Sequence, residues 1–249
     1  MAFSPLEQFQ IISLIPLKFG NFYFSFSNSS FFLMLTTFLV FLLFYMVSIE
    51  GGFLIPTRWQ TLVEMIYEFV INLVDEQIGP AGKKYFAFIF TIFTFILFTN
   101  LIGMIPYSFT ATSHLIVTFS MSFSLFLGIT IIGFQTHGIH FFSFLLLKGA
   151  PLALAPLLVL LELVSYCFRG VSLGVRLFAN MMAGHTLVKI LSGFAWTMLG
   201  AGGLLTLASI IPFMVVFALT GLELAVAFLQ AYVFTILTCI YFHDAIYLH

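Results

Sequence analysis

The chain has 249 residues, of which 62% are hydrophobic and only 7% are charged. An ordinary soluble domain carries roughly 25% charged residues, so lipid must be the solvent for much of this surface. The formal net charge of -1 excludes the basic face that nucleic acid requires. We therefore expect an all-α integral membrane protein that crosses the bilayer several times and forms one membrane domain over residues 1–249.

Three apolar runs in the first half of the chain match the about 20 helical residues that a bilayer core requires. An N-terminal segment, 1–30, precedes the first predicted span at 31–49. A hairpin of two further spans is predicted over 85–134, because a short polar stretch, 107–114, divides its two apolar runs.

The segment 56–76 has a different pattern, with apolar residues at helical spacing and Glu64 and Glu68 on the other side. This pattern predicts an amphipathic helix that lies at the membrane surface or against a partner. A soluble connector is the alternative interpretation.

The region 151–242 contains two unusually long apolar segments, 152–199 and 204–242. The second would be about 58 Å long as a helix, nearly twice the hydrocarbon thickness of ~30 Å. Neither segment has clear turn residues at its middle, and exposed backbone is not tolerated in lipid. We expect two long, steeply tilted antiparallel helices joined at Gly200–Gly203, with two spans per segment as the alternative. A loop is predicted at 136–150.

Three ionisable residues in the first long segment share one helical stripe, because Glu162, Arg169 and Arg176 are seven residues apart. A charge inside a span costs ~2.5 kcal/mol or more, so each is a functional candidate. Arg176 is a permanent cation that can keep a neighbouring carboxylate ionised. We expect it to meet a carboxylate of another chain or to line a wet cavity. A structural ion pair with Glu223 is the alternative, and Arg169 is interpreted as reaching the interface.

His185 and Glu223 are the candidates for proton carriers, because both groups can exchange protons with an aqueous inlet. His185 lies nine residues beyond Arg176 and faces away from the arginine stripe. A buried histidine with only a structural role is the alternative. Asn180 and Gln230 are predicted to act as hydrogen-bond partners or to hold water along the path.

Glu162 and Asp244 are weaker candidates, near the ends of the two long segments. Glu162 suits a second aqueous path, and the alternative is a carboxylate at headgroup level. Asp244 is placed at the interface, where it would mark a channel mouth. Gly170 and Gly174 form a G-x-x-x-G that predicts close approach of another helix near Arg176.

No phosphate loop, nucleophile triad or Cys/His metal cluster is recognisable, so we expect no cofactor, no metal and no catalysis by this chain. Two rivals remain for the function. One is a transporter or channel that works alone, although no internal repeat is visible. The other is a scaffold subunit of a respiratory complex in which Arg176 is merely paired.

Four stretches resemble one known family: Ser172–His185, Gly221–Phe234, Asn100–Phe109 and Ser4–Phe9. They are similar to subunit a of F-type ATP synthases, in its mitochondrial form, and the resemblance extends over essentially the whole chain. It implies a non-catalytic stator whose essential arginine matches Arg176, with Asn180 and Gln230 as polar neighbours. Bacterial members exchange the acid and the histidine between the positions of His185 and Glu223.

The resemblance implies a rotary mechanism in the mitochondrial inner membrane. Protons would enter one half-channel through His185 and Glu223 and leave by a second, which Glu162 borders. The implied partners are a ring of c subunits carrying an essential carboxylate, the peripheral stalk, other subunits of the membrane sector, and lipid. Protons would be the only small substrate.

Overall fold

The computed structural model describes residues 4–20, 22–49, 51–52, 55–106, 108–138 and 155–247. Across these ranges five helices are long and apolar enough to cross a membrane, which confirms the all-α polytopic fold class. The elements in chain order are β1 (Ser13–Phe19), β2 (Phe22–Ser27), α1 (Asn28–Ile49), α2 (Arg58–Gln77), α3 (Phe86–Gly103), α4 (Leu115–His137), α5 (Ala155–Ala201), α6 (Leu204–Ala208) and α7 (Ile210–Ile246).

The predicted spans correspond to α1 and to α3 with α4, with ends that differ by a few residues. The amphipathic segment forms α2, and its N-cap is Thr57, whose hydroxyl accepts a hydrogen bond from the Gln60 backbone N–H. Most of the predicted loop at 136–150 lies outside the described residues. The part that is described continues α4 to His137.

The two long segments each form one continuous helix, α5 with 47 residues and α7 with 37. At 1.5 Å per residue they measure about 70 Å and 56 Å, so neither fits upright in the bilayer core. Pro212 leaves α7 intact because it lies in the first turn, where backbone N–H groups have no helical partner. The predicted joint is present, since Gly202 and Gly203 have positive φ, but the short helix α6 that follows was not predicted.

The β-hairpin within the N-terminal segment was also not predicted. Asn28, the first residue of α1, fastens it to the span. The Asn28 side-chain amide donates to the Gln10 carbonyl at 3.1 Å, and its oxygen accepts from the Ile12 N–H at 3.2 Å.

The chain divides into two compact units. The first unit comprises Met1–Met46, Thr94–His114 and Leu177–Ala231, and the second comprises Val47–Phe93, Leu115–Arg176 and Tyr232–His249. Each has its own buried apolar residues, such as Ile96 and Leu177 in the first and Val70 and Ile89 in the second. The expectation of one membrane domain stays a prediction.

Within the second unit, α4 occupies the small-residue face of α5. A side chain at Gly174 would meet the Ser122 Oγ and the Thr118 carbonyl, both at 2.9 Å, and one at Gly170 would meet Phe126 at 3.0 Å. The Ser122 hydroxyl donates to the Gly170 carbonyl. The helix that approaches Gly170 and Gly174 therefore belongs to this same chain.

Candidate functional site: two polar clusters on the long helices

In the first unit, His185 of α5 meets a side chain that the sequence did not point to. Its Nε2 lies 3.2 Å from the Oγ1 of Thr110, in the segment that connects α3 to α4. Thr110 is only 5% exposed, and its Oγ1 is also 3.2 Å from the Gly103 carbonyl. No sequence pattern could have indicated this pair, because the two residues are 75 positions apart.

Glu223 of α7 lies against Gly184, the neighbour of His185 in the chain. A Cβ at Gly184 would come within 3.1 Å of both the Cγ and the Cδ of Glu223, and closer still to its Oε1. That oxygen is buried and has no hydrogen-bond partner among the described residues. Glycine at 184 is therefore what allows the carboxyl group to lie against α5.

His185 and Glu223 line one small cavity, together with Asn180, Met104, Met181 and Val226. The space open to the centre of a water molecule is about 10 Å³, close to what one water requires. The predicted pair of proton carriers therefore shares a narrow, partly polar space.

Asn180 and Gln230 are hydrogen-bonded to each other. The Asn180 amide donates to the Gln230 Oε1 at 2.8 Å, and Gln230 is 4% exposed. Together with the contact of Gly184 and Glu223, this pair shows that α5 and α7 are antiparallel within the first unit.

Asn100 of α3 is a further buried polar residue, and it was not predicted as a site residue. It is 0% exposed, and its amide donates to the Ala227 carbonyl of α7 at 3.4 Å. Its Oδ1 has no hydrogen-bond partner within the described part of the chain. An amide inside an apolar run was the available signal, since buried polar groups in membrane spans are costly.

Arg176 is the last residue of α5 that belongs to the second unit, and it is exposed. Among the described residues of that unit, no carboxylate lies within ion-pair distance of its guanidinium. The alternative partner, Glu223, belongs to the first unit, and that pair stays a hypothesis. Within the described part of the second unit, Arg176 is thus a fixed positive charge on an apolar helix without a neutralising group beside it.

Arg169, which was expected to reach the interface, is the centre of the second cluster. Its guanidinium lies 2.9 Å from the Asp244 carboxylate of α7 and 3.7 Å from that of Glu162, two turns earlier on α5. It also lies over the Tyr241 ring at 5.8 Å. The three charged side chains are partly exposed, at 26–29%. Glu162 and Asp244, predicted separately, are therefore brought together by one arginine.

Within the residues that the structure describes, no group of three or more His, Cys, Asp or Glu side chains could hold a metal ion. The chemistry of both clusters is that of hydrogen bonds, ion pairs and groups able to exchange protons.

Comparison with known proteins identifies the family. A family model described as ATP synthase A chain matches residues 30–243. "ATP synthase subunit a" of Marchantia polymorpha is 68% identical over 252 residues, covering 100% of both chains. The proteins of the same description from Brassica napus and Chondrus crispus are 61% and 52% identical, covering 100% and 99% of this chain and 98% and 97% of their own. The chain therefore belongs to the ATP synthase A chain family.

Proposed function

We propose that this chain is the proton-translocating stator of the membrane sector of ATP synthase, in the mitochondrial inner membrane. It is a non-catalytic subunit that couples the proton gradient to rotation of a ring of c subunits. The observation that carries the proposal is Arg176, an exposed permanent cation on an apolar helix, with no carboxylate within ion-pair distance among the described residues of its own unit. An unpaired charge in lipid is costly, and a carboxylate of another chain that comes to face Arg176 would remove that cost.

The role of Arg176 follows from the chemistry of guanidinium, which stays protonated in proteins and cannot carry protons itself. A ring carboxylate that passes Arg176 is held in its ionised form by the positive charge. Elsewhere the carboxyl must be neutral to face lipid. Arg176 therefore makes each ring carboxyl release its proton before it passes, and the same fixed charge opposes a direct proton leak.

The cavity in the first unit forms part of one half-channel. His185 and Glu223 both line it, and its volume suits one water at a time. A proton moves along hydrogen bonds between an imidazole, a carboxyl group and such a water. The hydrogen-bonded pair of Asn180 and Gln230 supports the wall beside these carriers without titrating.

The Arg169 cluster in the second unit borders the other half-channel. Glu162 and Asp244 are its acids, and Arg169 holds them together while all three remain partly open to their surroundings. Partial exposure suits groups that exchange protons with water.

The driving force is the membrane potential, since each unit charge that crosses is worth ~2.3 kcal/mol per 100 mV. Protons enter by one path, neutralise a ring carboxylate, and leave by the other after the ring has turned. The proposed partners are the c-ring, the peripheral stalk, other subunits of the membrane sector, and lipid.

The test is Arg176→Ala in the assembled complex, with ATP-driven proton pumping and passive proton leak measured in vesicles. Arg58→Ala is the matched control, because Arg58 is an exposed arginine at the start of the amphipathic α2. We expect normal yield of complex for both variants, loss of coupled pumping only for Arg176→Ala, and partial retention for Arg176→Lys. Pumping by Arg176→Ala at the rate of the Arg58→Ala control would show that the arginine is structural and the proposal wrong.

A further inference from the structure

The contact between His185 and Thr110 indicates which of the two atoms donates the hydrogen, because a hydroxyl group has only one proton to donate. Thr110 Oγ1 lies within hydrogen-bond distance of two groups, the Gly103 carbonyl and the His185 Nε2, each at 3.2 Å. The carbonyl can only accept. If the Thr110 proton goes to Gly103, the Thr110 oxygen must accept a proton from Nε2.

The Gly103 carbonyl accepts this proton. Gly103 is the last residue of α3, where carbonyl groups have no partner within the helix. Ser108 also approaches it, at 3.1 Å, but the Ser108 hydroxyl has a shorter bond to the Ile102 carbonyl at 2.6 Å. The Thr110 hydroxyl is thus the cap for Gly103.

The position of Thr110 is fixed on its other sides as well. A side chain at Gly103 would meet the Thr110 Cγ2 at 2.7 Å, so glycine is needed for the threonine to lie over the helix end. The Ser113 hydroxyl donates to the Thr110 carbonyl at 2.6 Å. Thr110 is therefore a buried, rigidly held acceptor for the histidine.

We infer that Thr110 fixes the tautomer of neutral His185, with hydrogen on Nε2 and a free lone pair on Nδ1. Its importance for transport rests on the proposed function of His185. The lone pair of Nδ1 takes a proton from the water or acid on one side and forms the imidazolium. The same Nδ1–H then breaks to deliver that proton onward, and the neutral Nε2–H ring is regenerated. Nε2 keeps its hydrogen throughout, so Thr110 is a positioning residue and not a proton carrier.

The test measures the tautomer directly, by solid-state NMR of the assembled complex containing ¹³C,¹⁵N-labelled histidine in lipid. The spectrum is taken at about pH 8, where an imidazole of ordinary pKa is neutral. The complex with His185→Gln identifies the His185 signals by difference. Wild type should show hydrogen on Nε2. Hydrogen on Nδ1 in the wild-type spectrum overturns the inference, whether or not any Thr110 variant assembles.

Three variants separate positioning from structure. Thr110→Val keeps the shape but removes the hydroxyl, and should give mixed tautomers and about tenfold slower coupled pumping. Thr110→Ser keeps the hydroxyl and should restore both readouts. Thr99→Val is the matched control, since Thr99 is also buried and its hydroxyl donates back to the Phe95 carbonyl of its own helix at 2.6 Å. An unchanged tautomer in Thr110→Val refutes the inference.

The two hypotheses fail separately. Wild-type pumping by His185→Gln would remove the proposed role of His185, yet the tautomer spectra would still decide whether Thr110 fixes the ring. Conversely, a tautomer that does not depend on Thr110 would leave the Arg176 test untouched.

Discussion

Gly184→Ala tests the site with the smallest change, because it adds one methyl group at the place where the Glu223 carboxyl group lies. The new Cβ would be 3.1 Å from both Cγ and Cδ of Glu223, nearer than ordinary van der Waals contact. Either the side chain of Glu223 leaves its position or α5 and α7 separate locally. Such overpacking costs about 1–3 kcal/mol, which outweighs the gain of up to ~1 kcal/mol that alanine brings to a helix.

The effect on transport should exceed the effect on stability. A misplacement of about 1 Å at a reacting group can slow its step about 10²-fold. We expect the Gly184→Ala complex to assemble with a modestly lower Tm and to pump protons at least about tenfold more slowly.

Gly193→Ala is the matched control, because Gly193 lies on the same helix and a Cβ there meets nothing within 4 Å. A second test is compensation. Adding Glu223→Asp shortens the acid by one methylene and should restore part of the pumping lost in Gly184→Ala. The assay is ATP-driven acidification of vesicles, normalised to the amount of intact complex. Equal pumping by Gly184→Ala and Gly193→Ala would refute the reasoning.

Two further predictions concern stability. Gly174→Ala should lower the Tm of the complex relative to Gly193→Ala, because its Cβ would meet the Thr118 backbone carbonyl at 2.9 Å. Such overpacking costs about 1–3 kcal/mol. Equal melting temperatures of the two variants would contradict the close approach of α4. Burial lowers the pKa of His114 below its ordinary 6.5, so the folded state binds fewer protons than the unfolded state, and stability should fall as pH drops through and below 6.5. His114→Phe, which keeps a ring to stack on Phe109, should flatten the profile of Tm against pH, and an unchanged profile would show that another group is responsible.

The order of the helices was predictable because each is encoded locally. An apolar run of sufficient length identifies a span, and the absence of turn residues identified α5 and α7 as continuous. The spacing of seven residues also placed Glu162 and Arg169 on one face, and the structure brings them to 3.7 Å.

The contacts that join distant segments were not predictable. Asp244 reaches Arg169, and Thr110 reaches His185, across 75 residues in each case. Periodicity gives the face on which a residue lies but not the residue opposite. The β-hairpin was missed for a different reason. Its strands pair from Phe19 and Phe22 outward, so the Gly-Asn dipeptide between them was a local signal that a search for apolar runs does not detect.

The close packing of α5 against α4 at Gly174 has a mechanical consequence. Gly174 and Arg176 are two residues apart, about 200° around the helix, so the contact with α4 lies nearly opposite the arginine. Without side-chain atoms at Gly174 there is little compressible material in that contact. Under the proposed function, a ring carboxylate that pulls or pushes on Arg176 applies a lateral load to α5, and α4 stiffens the helix from behind. Under that function, the close packing at Gly174 limits the displacement of α5, so that Arg176 keeps its position while the ring of c subunits turns.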